Sequence, residues 1–273
     1  MFTLSAFADE IGPDPQEQVD VLSRCGVRHI ELRSILKTNV LDLTDLQVQE
    51  LKSLLDRSGF RLSAIGSPVG KVKVDQPIAP HLQRFRRALE LCKVFGTPNV
   101  RVFSYYLPDG GRWEDWRGEV MNRMAEKARL AEAAGVTLLH ENEHGIYGDS
   151  PERVVDLFRT VRSPNLRAVY DAANYVFCGY DPWQGWQSTK AYTAHIHVKD
   201  WIRGEAHGCL AGTGQGRIPE VIAEVATTYE GFATLEPHLL GGGPTGGVTG
   251  PELFPQAVAA FKAILETAGA PYQ

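Results

Sequence analysis

Short apolar runs alternate with longer amphipathic ones from one end of the chain to the other. Leu4–Asp9, Val27–Arg33, Arg61–Ser67, Asn99–Tyr105, Val136–Asn142, Leu166–Asp171, Thr193–Lys199 and Phe232–Pro237 have the length and the β-branched content of strands. Helical periodicity fills the intervals. Pro15–Cys25 is stopped by Gly26, a run capped by Thr44 ends at Gly59, His81–Phe95 ends at Gly96, and Glu119–Ala134 ends at Gly135. Ser150–Arg162 carries a serine cap followed by proline. Trp183–Lys190, Pro219–Thr228 and Pro251–Ala268 complete the series. Eight βα units with no linker or repeat between them predict an α/β fold, a parallel eight-stranded (β/α)8 TIM barrel with outer helices, as one domain over 1–273. An open dinucleotide-binding sheet fits less well, because no GxGxxG follows the first strand.

Composition narrows the function classes. The chain has 273 residues and a formal net charge of −5, so no basic stripe suggests a nucleic-acid partner. No apolar run is long enough to cross a membrane, and the N-terminus lacks a signal-peptide pattern. The four cysteines, Cys25, Cys92, Cys178 and Cys209, have no CxxC spacing and read as reduced thiols of a cytoplasmic protein.

The predicted strand ends carry the chemistry. In a (β/α)8 barrel, functional groups sit where strands pass into βα loops. Strand five ends in His140-Glu141-Asn142-Glu143, strand six in Tyr170-Asp171, and strand eight in Leu235-Glu236-Pro237-His238. Strand seven, TAHIHVKD, places His195, His197 and Lys199 on one face and Ile196 and Val198 on the other. A lone acid at a strand end usually caps a helix or pairs with a base, and His195 alone reads equally as a hydrogen-bonded core histidine. Three carboxylates converging on one mouth, however, need a cation. Glu141, Asp171, His197 and Glu236 make an oxygen-rich set with one nitrogen, suited to Mn²⁺ or Mg²⁺ and compatible with Co²⁺ or Zn²⁺.

The chain resembles the xylose isomerase-like barrel superfamily, in particular its sugar phosphate isomerase/epimerase branch. The resemblance rests on SAFADEI (5–11), GVRHIELR (26–33), HENEHGIYGDSPER (140–153), YDAAN (170–174), HIHVKD (195–200), GTGQGRIPE (212–220) and LEPHL (235–239). It implies one divalent ion on Glu141, Asp171, His197 and Glu236, with the two glutamates as an acid/base pair. Ketose 3-epimerases of the superfamily carry a histidine three residues after the aspartate, where this chain has Asn174. They also carry an arginine six residues after the metal histidine, matched by Arg203. Membership further implies the possibility of a homo-oligomer.

The resulting expectation is a metal-dependent isomerase or epimerase acting on a sugar, sugar phosphate or polyol-derived ketone through an enediolate. Glu143, Asn174, His195, Lys199, Arg203 and His238 are candidate substrate contacts, and the partner is a small carbohydrate. The same set supports a dehydratase-type lyase of the inosose kind, since elimination begins with the same proton abstraction. A non-catalytic sugar-binding barrel is a third reading. The superfamily's abasic-site endonucleases need histidines ending strands two to four, and none stands there.

Overall fold

The computed structural model describes residues 1–243 and 245–273. Eight parallel strands close a barrel: β1 (Phe2–Ala6), β2 (His29–Leu32), β5 (Arg61–Ile65), β6 (Asn99–Val102), β7 (Thr137–Glu141), β8 (Leu166–Asp171), β9 (Thr193–Val198) and β10 (Gly231–Leu235), which returns to β1. A short hairpin, β3 (Ser34–Ile35) with β4 (Thr38–Asn39), leaves the second barrel strand. Helices α1 (Pro15–Arg24), α2 (Asp45–Arg57), α3 (Ile78–Phe95), α4 (Trp113–Ala133), α5 (Pro151–Val161), α6 (Ala172–Cys178), α7 (Pro182–Thr189), α8 (Ile218–Val225) and α9 (Phe254–Thr267) surround it.

The expected fold holds, with local differences that have physical causes. Thr44 and Gln47 form a reciprocal capping box on α2, and Ser150 Oγ accepts the Arg153 amide at the start of α5. Most barrel strands stop short of the predicted polar ends. Residues 7–9, 33, 66–67, 103–105, 142, 199 and 236–237 leave the ladder to begin the mouth loops. Helix α6 is absent from the predicted series: it is a helix of about two turns directly after β8, capped by Asp171, whose Oδ1 accepts the Asn174 amide at 2.9 Å. Helix α4 begins six residues earlier than the glycine-bounded pattern suggested, at Trp113. The four cysteines are free thiols.

Alternation along each strand sends one set of side chains outward to the helices and the other into the barrel. The outward set and the helices build the large apolar core, including Leu4, Ile30, Leu32, Val100, Leu138, Ile196 and Val198. The inward set is mostly polar. Ser5 and Ser63 share a hydrogen bond of 2.7 Å, and His195 Nε2 lies 2.6 Å from Thr234 Oγ1. Ladder pairing puts Asp171 level with His197, and His197 level with Thr234. Consecutive strands therefore bring their terminal polar groups to one height at the mouth.

One buried charge lies outside this mouth. Lys127 on α4 is fully buried, donates to Phe103 O at 3.3 Å and stands 4.4 Å from the centre of the Tyr105 ring. Burial, aided by the nearby Arg123 guanidinium, pushes its pKa down to about 7. The unfolded chain then binds the proton more tightly than the folded one between about pH 7 and pH 10, so folding stability from this group rises with pH through that window. Lys127→Met should abolish that contribution. The rise in unfolding free energy from pH 7 to pH 9, measured by denaturant titration, should be smaller in the variant by about 2 kcal/mol, and identical slopes would contradict the assignment.

Candidate metal centre

Four side chains from four successive barrel strands meet at the mouth. Glu141 ends β7, Asp171 ends β8, His197 lies on β9 and Glu236 follows β10. All are buried, and one ligand atom from each lies within 4.8 Å of the others. His197 Nδ1 is the centre of the group: 3.4 Å from Glu141 Oε1, 3.3 Å from Glu236 Oε2 and 4.0 Å from Asp171 Oδ2. His197 Nδ1 has no hydrogen-bond partner, and Asp171 Oδ2 faces the Lys199 ammonium at 2.8 Å. A buried ring nitrogen surrounded by carboxylate oxygens is what a divalent cation satisfies, and three carboxylates with one imidazole suit a hard or borderline ion.

Residues that the strand-end reading overlooked hold these four in place. Glu31 Oε2 is 3.1 Å from His197 Nε2, so the carboxylate can take that N–H and leave Nδ1 with its lone pair toward the centre. Arg101 Nη1 donates to Glu141 Oε2 at 3.0 Å, and Arg33 Nη1 donates to Glu236 Oε1 at 2.8 Å. Each glutamate thus gives one oxygen to an arginine and turns the other to the centre. Asn174 Nδ2 adds a bond of 3.1 Å to Glu141 Oε1. Asp171 both caps α6 through Oδ1 and faces the centre through Oδ2, so the capping and ligand readings of this aspartate are compatible. A signal for Glu31 and Arg33 existed: in Ile30-Glu31-Leu32-Arg33, charge alternates with apolar residues, which puts both charges on the inward face.

The electrostatics follow from these contacts. Burial opposes ionisation of Glu141, but His197 and Arg101 outweigh it and hold the carboxyl down to about 2. Glu236 is likewise held well below the usual range against its burial, by Lys199, His197 and His238. Burial and the two neighbouring glutamates push Asp171 up to about 6, against the pull of Lys199. For His197, burial favours the neutral ring, yet the carboxylates of Glu31 and Glu141 prevail and raise its pKa. A proton on this ring competes with a cation, so metal binding weakens as pH falls.

The other candidate contacts are distributed unevenly. Lys199 Nζ lies 2.8 Å from Asp171 Oδ2 and 3.5 Å from Glu236 Oε2. It lines a cavity of about 210 Å³ over the centre, together with Glu143, Asn174, Glu236 and His238. Glu143 pairs with Lys71 at 2.7 Å. His238, with a left-handed backbone (φ 50°), brings Nε2 to 3.3 Å from both Glu10 Oε1 and Glu236 Oε1. His195 departs from the expectation of a substrate contact: it lies one step below His197, bonded to Thr234 and 3.2 Å from Glu31, and does not line the cavity. Arg203 is also outside the cavity lining, exposed on a loop where its amide donates to Gln215 Oε1. The cause is Asp200. Its carboxylate collects the amides of Trp201, Gly212, Gly214 and Gly216, which folds the loop 200–217 back on itself and carries Arg203 away from the mouth.

Two further clusters of acids and histidines are already compensated. In Glu31–His195–His197 the carboxylate faces both imidazole Nε2 atoms. In Glu10–Glu236–His238 the Arg33 guanidinium is the counter-charge, 2.8 Å from Glu236 and 3.6 Å from Glu10.

With this geometry in view, the comparisons decide the family. The xylose isomerase-like TIM barrel family matches residues 19–264. The chain belongs to that family. No curated protein matches the sequence. Among solved structures, the chain is similar to an L-ribulose 3-epimerase (TM-score 0.77, 16% identity, 98% of this chain and 95% of that one). It is similar to the probable 3-DHS dehydratase AsbF of Bacillus anthracis (TM-score 0.76, 16% identity, 96% and 98%). A third is a xylose isomerase-like TIM barrel protein of Mycobacterium smegmatis in complex with magnesium (TM-score 0.74, 16% identity, 98% and 97%). At this identity the likenesses establish a shared fold. Among the described residues, no helix is long and apolar enough to cross a membrane.

Glu31 tests the centre without touching its ligand atoms. Glu31→Gln should weaken divalent-metal binding by about 10–100-fold, the usual cost of losing a carboxylate behind a ligating histidine. Calorimetric titration of folded wild type and variant at one pH measures it, and equal affinities would contradict the arrangement.

Proposed function

We propose that this barrel is a divalent-metal-dependent isomerase or epimerase of a hydroxy-ketone, a sugar or a sugar-like polyol derivative. The observation that carries the reading is the approach of Glu141 and Glu236 to 3.4 and 3.3 Å from His197 Nδ1, each buried, each braced by its own arginine. Glu141, Asp171, His197 and Glu236 would hold the ion, and one acidic or imidazole group per strand gives a set that fits it. When bound, the ion supplies Lewis-acid polarisation of a carbonyl and stabilisation of the negative charge that develops as the α-proton leaves.

The chain's own groups divide the remaining work. A proton transfer needs a carboxylate within reach of each face of the substrate's reacting carbon. Glu141 and Glu236 rest ionised, so either can accept the proton α to the carbonyl; the carboxyl that has accepted it can return it to a neighbouring carbon on the same face, whereas delivery to the opposite face requires the other carboxyl to carry a proton taken up from solvent. Asn174 fixes Glu141 by its bond to Oε1. Arg101 and Arg33 fix the two carboxylates in plane, so that the free oxygens keep their direction. Phe177 and Trp201 wall one side of the cavity and restrict water. Sugar epimerases and a magnesium-bound protein among the structural neighbours are in keeping with this reading.

Elimination is the second outcome of the same first step. His238 favours it, because its Nε2 stands beside Glu236 and at the cavity wall, where it can protonate a departing hydroxyl. The similarity to a probable dehydratase points the same way.

The test is solvent-proton exchange. Incubation of the metal-loaded protein with ketoses and polyol-derived ketones in deuterated water should label the carbon α to the carbonyl, followed by NMR. Glu141→Gln and Glu236→Gln should each slow labelling by at least about 10²-fold in samples whose metal content is verified. Undiminished exchange in either variant would remove that glutamate from proton transfer.

A further inference from the structure

The mouth is chemically divided. The four candidate ligands come from β7, β8, β9 and β10, whereas Arg33, Lys71 and Arg101 come from the opposite half, at the end of β2, in the loop after β5 and on β6. The two guanidinium carbons lie 4.4 and 4.8 Å from the centre of the Phe7 ring, which holds both cations at the floor. Groups suited to neutral hydroxyls are few. Among the described residues lining the cavity, only Asn174 and Thr245 carry an uncharged amide or hydroxyl, and Asn174 already donates to Glu141 and to Asn142 O. Gly246 lies close against one of these cations: a Cβ there would stand 2.1 Å from Arg33 Cζ.

Lys199 gives this asymmetry a consequence. Its ammonium is nearly buried, and its partners are Asp171 Oδ2 and Glu236 Oε2, which belong to the candidate ligand set. When those oxygens serve a divalent ion, the ammonium is left in the cavity wall short of a counter-charge, and a buried unpaired ammonium is costly. Of the two arginines, Arg33 is engaged by Asp9 and Glu236 and adds charge alone, whereas Arg101 retains capacity: it donates to Glu141 and to Gly66 O, and its Nε has no hydrogen-bond partner, with Glu31 Oε1 at 3.9 Å.

We propose that the substrate of this site is a keto acid, a hydroxy-ketone that carries a carboxylate received by the cations of the mouth: Lys199, directly after β9, and Arg33, Arg101 and Lys71 from the opposite half. This rests on the reading of the site as a metal-dependent centre for ketones. A planar carboxylate matches the guanidinium edge. A phosphate ester would instead want a cradle of free backbone amides. In the loop after β5 four amides are engaged: Gly66 with Leu32 O, Ser67 with Ile65 O, Val69 with Ser67 Oγ and Lys71 with Pro68 O.

Calorimetry on the full-length protein tests this with three probes of one carbon skeleton: D-fructose, 2-keto-D-gluconate and D-fructose 6-phosphate. Stoichiometry of Mn²⁺ is titrated first in the same sample. The keto acid should bind at least about tenfold more tightly than D-fructose, the scale of one charge-assisted hydrogen bond, and more tightly than the phosphate ester. Lys199→Met and the partly exposed Lys71→Met should each narrow the gap between acid and neutral ketose. Equal affinities, no binding of either, or preference for the phosphate ester would overturn the proposal. Bound Mn²⁺ without acid preference sinks this inference and leaves the metal-dependent reading standing. Failure to bind Mn²⁺ sinks that reading, while the acid-versus-ketose comparison still judges the cations of the mouth by themselves.

Discussion

Carboxylates crowded into a barrel mouth that excludes water must be compensated, and the rest of the site is arranged around that constraint. Glu141, Asp171 and Glu236 approach one imidazole nitrogen within a few ångströms, and Glu31 stands immediately behind it. Each loses hydration on burial and is repelled by the others. Three cations, Arg33, Arg101 and Lys199, are buried beside them as partial compensation. The unpartnered Nδ1 of His197 marks where that compensation is incomplete. On the proposed reading a divalent ion would complete it, and in doing so would free Lys199 for another anion.

The barrel makes this crowding geometrically cheap. Parallel strands deliver the side chains at their ends to one cluster: Asp171 is paired with His197, Glu141 ends the neighbouring strand opposite Val169, and Glu236 stands two residues past Thr234, so the four groups need no special loop to find one another. The loops then serve other ends. Asp200 gathers four amides to hold the loop after β9 away from the mouth. Gly246 lies against Arg33 and Gly247 against His238, and a side chain at either glycine would collide with its neighbour. The polar interior below the ligands, with Ser5, Ser63, Thr234 and His195 bonded to one another in pairs, gives a rigid floor in place of an apolar one.

Much of this is legible in the chain itself, because it is written locally. Strand periodicity, glycine stops and serine or threonine caps are short-range signals, and they outline eight βα units. The candidate ligands stand at strand ends, where a carboxylate or imidazole is conspicuous. What escapes a linear reading depends on pairing across the barrel. Arg33 meets Glu236 at a separation of 203 residues, and Glu31 meets His197 at 166. A single arginine in a strand looks like surface until its partner is known. His195 shows the converse. It alternates with His197 and appears equivalent to it, yet one step along the strand lowers it from the mouth into the barrel interior. Arg203 keeps a familiar spacing from His197, but the fold of the 200–217 loop overrides spacing.

The central claim is that the buried group at His197 Nδ1 is a single-ion site. Elemental analysis and equilibrium titration of the purified protein test it most directly, with His197→Ala as the control. The account predicts about one equivalent of a divalent cation in wild type, as isolated or after titration, and loss or strong weakening in the variant. A wild-type protein that takes up no divalent ion, or a variant that binds as wild type does, would contradict it.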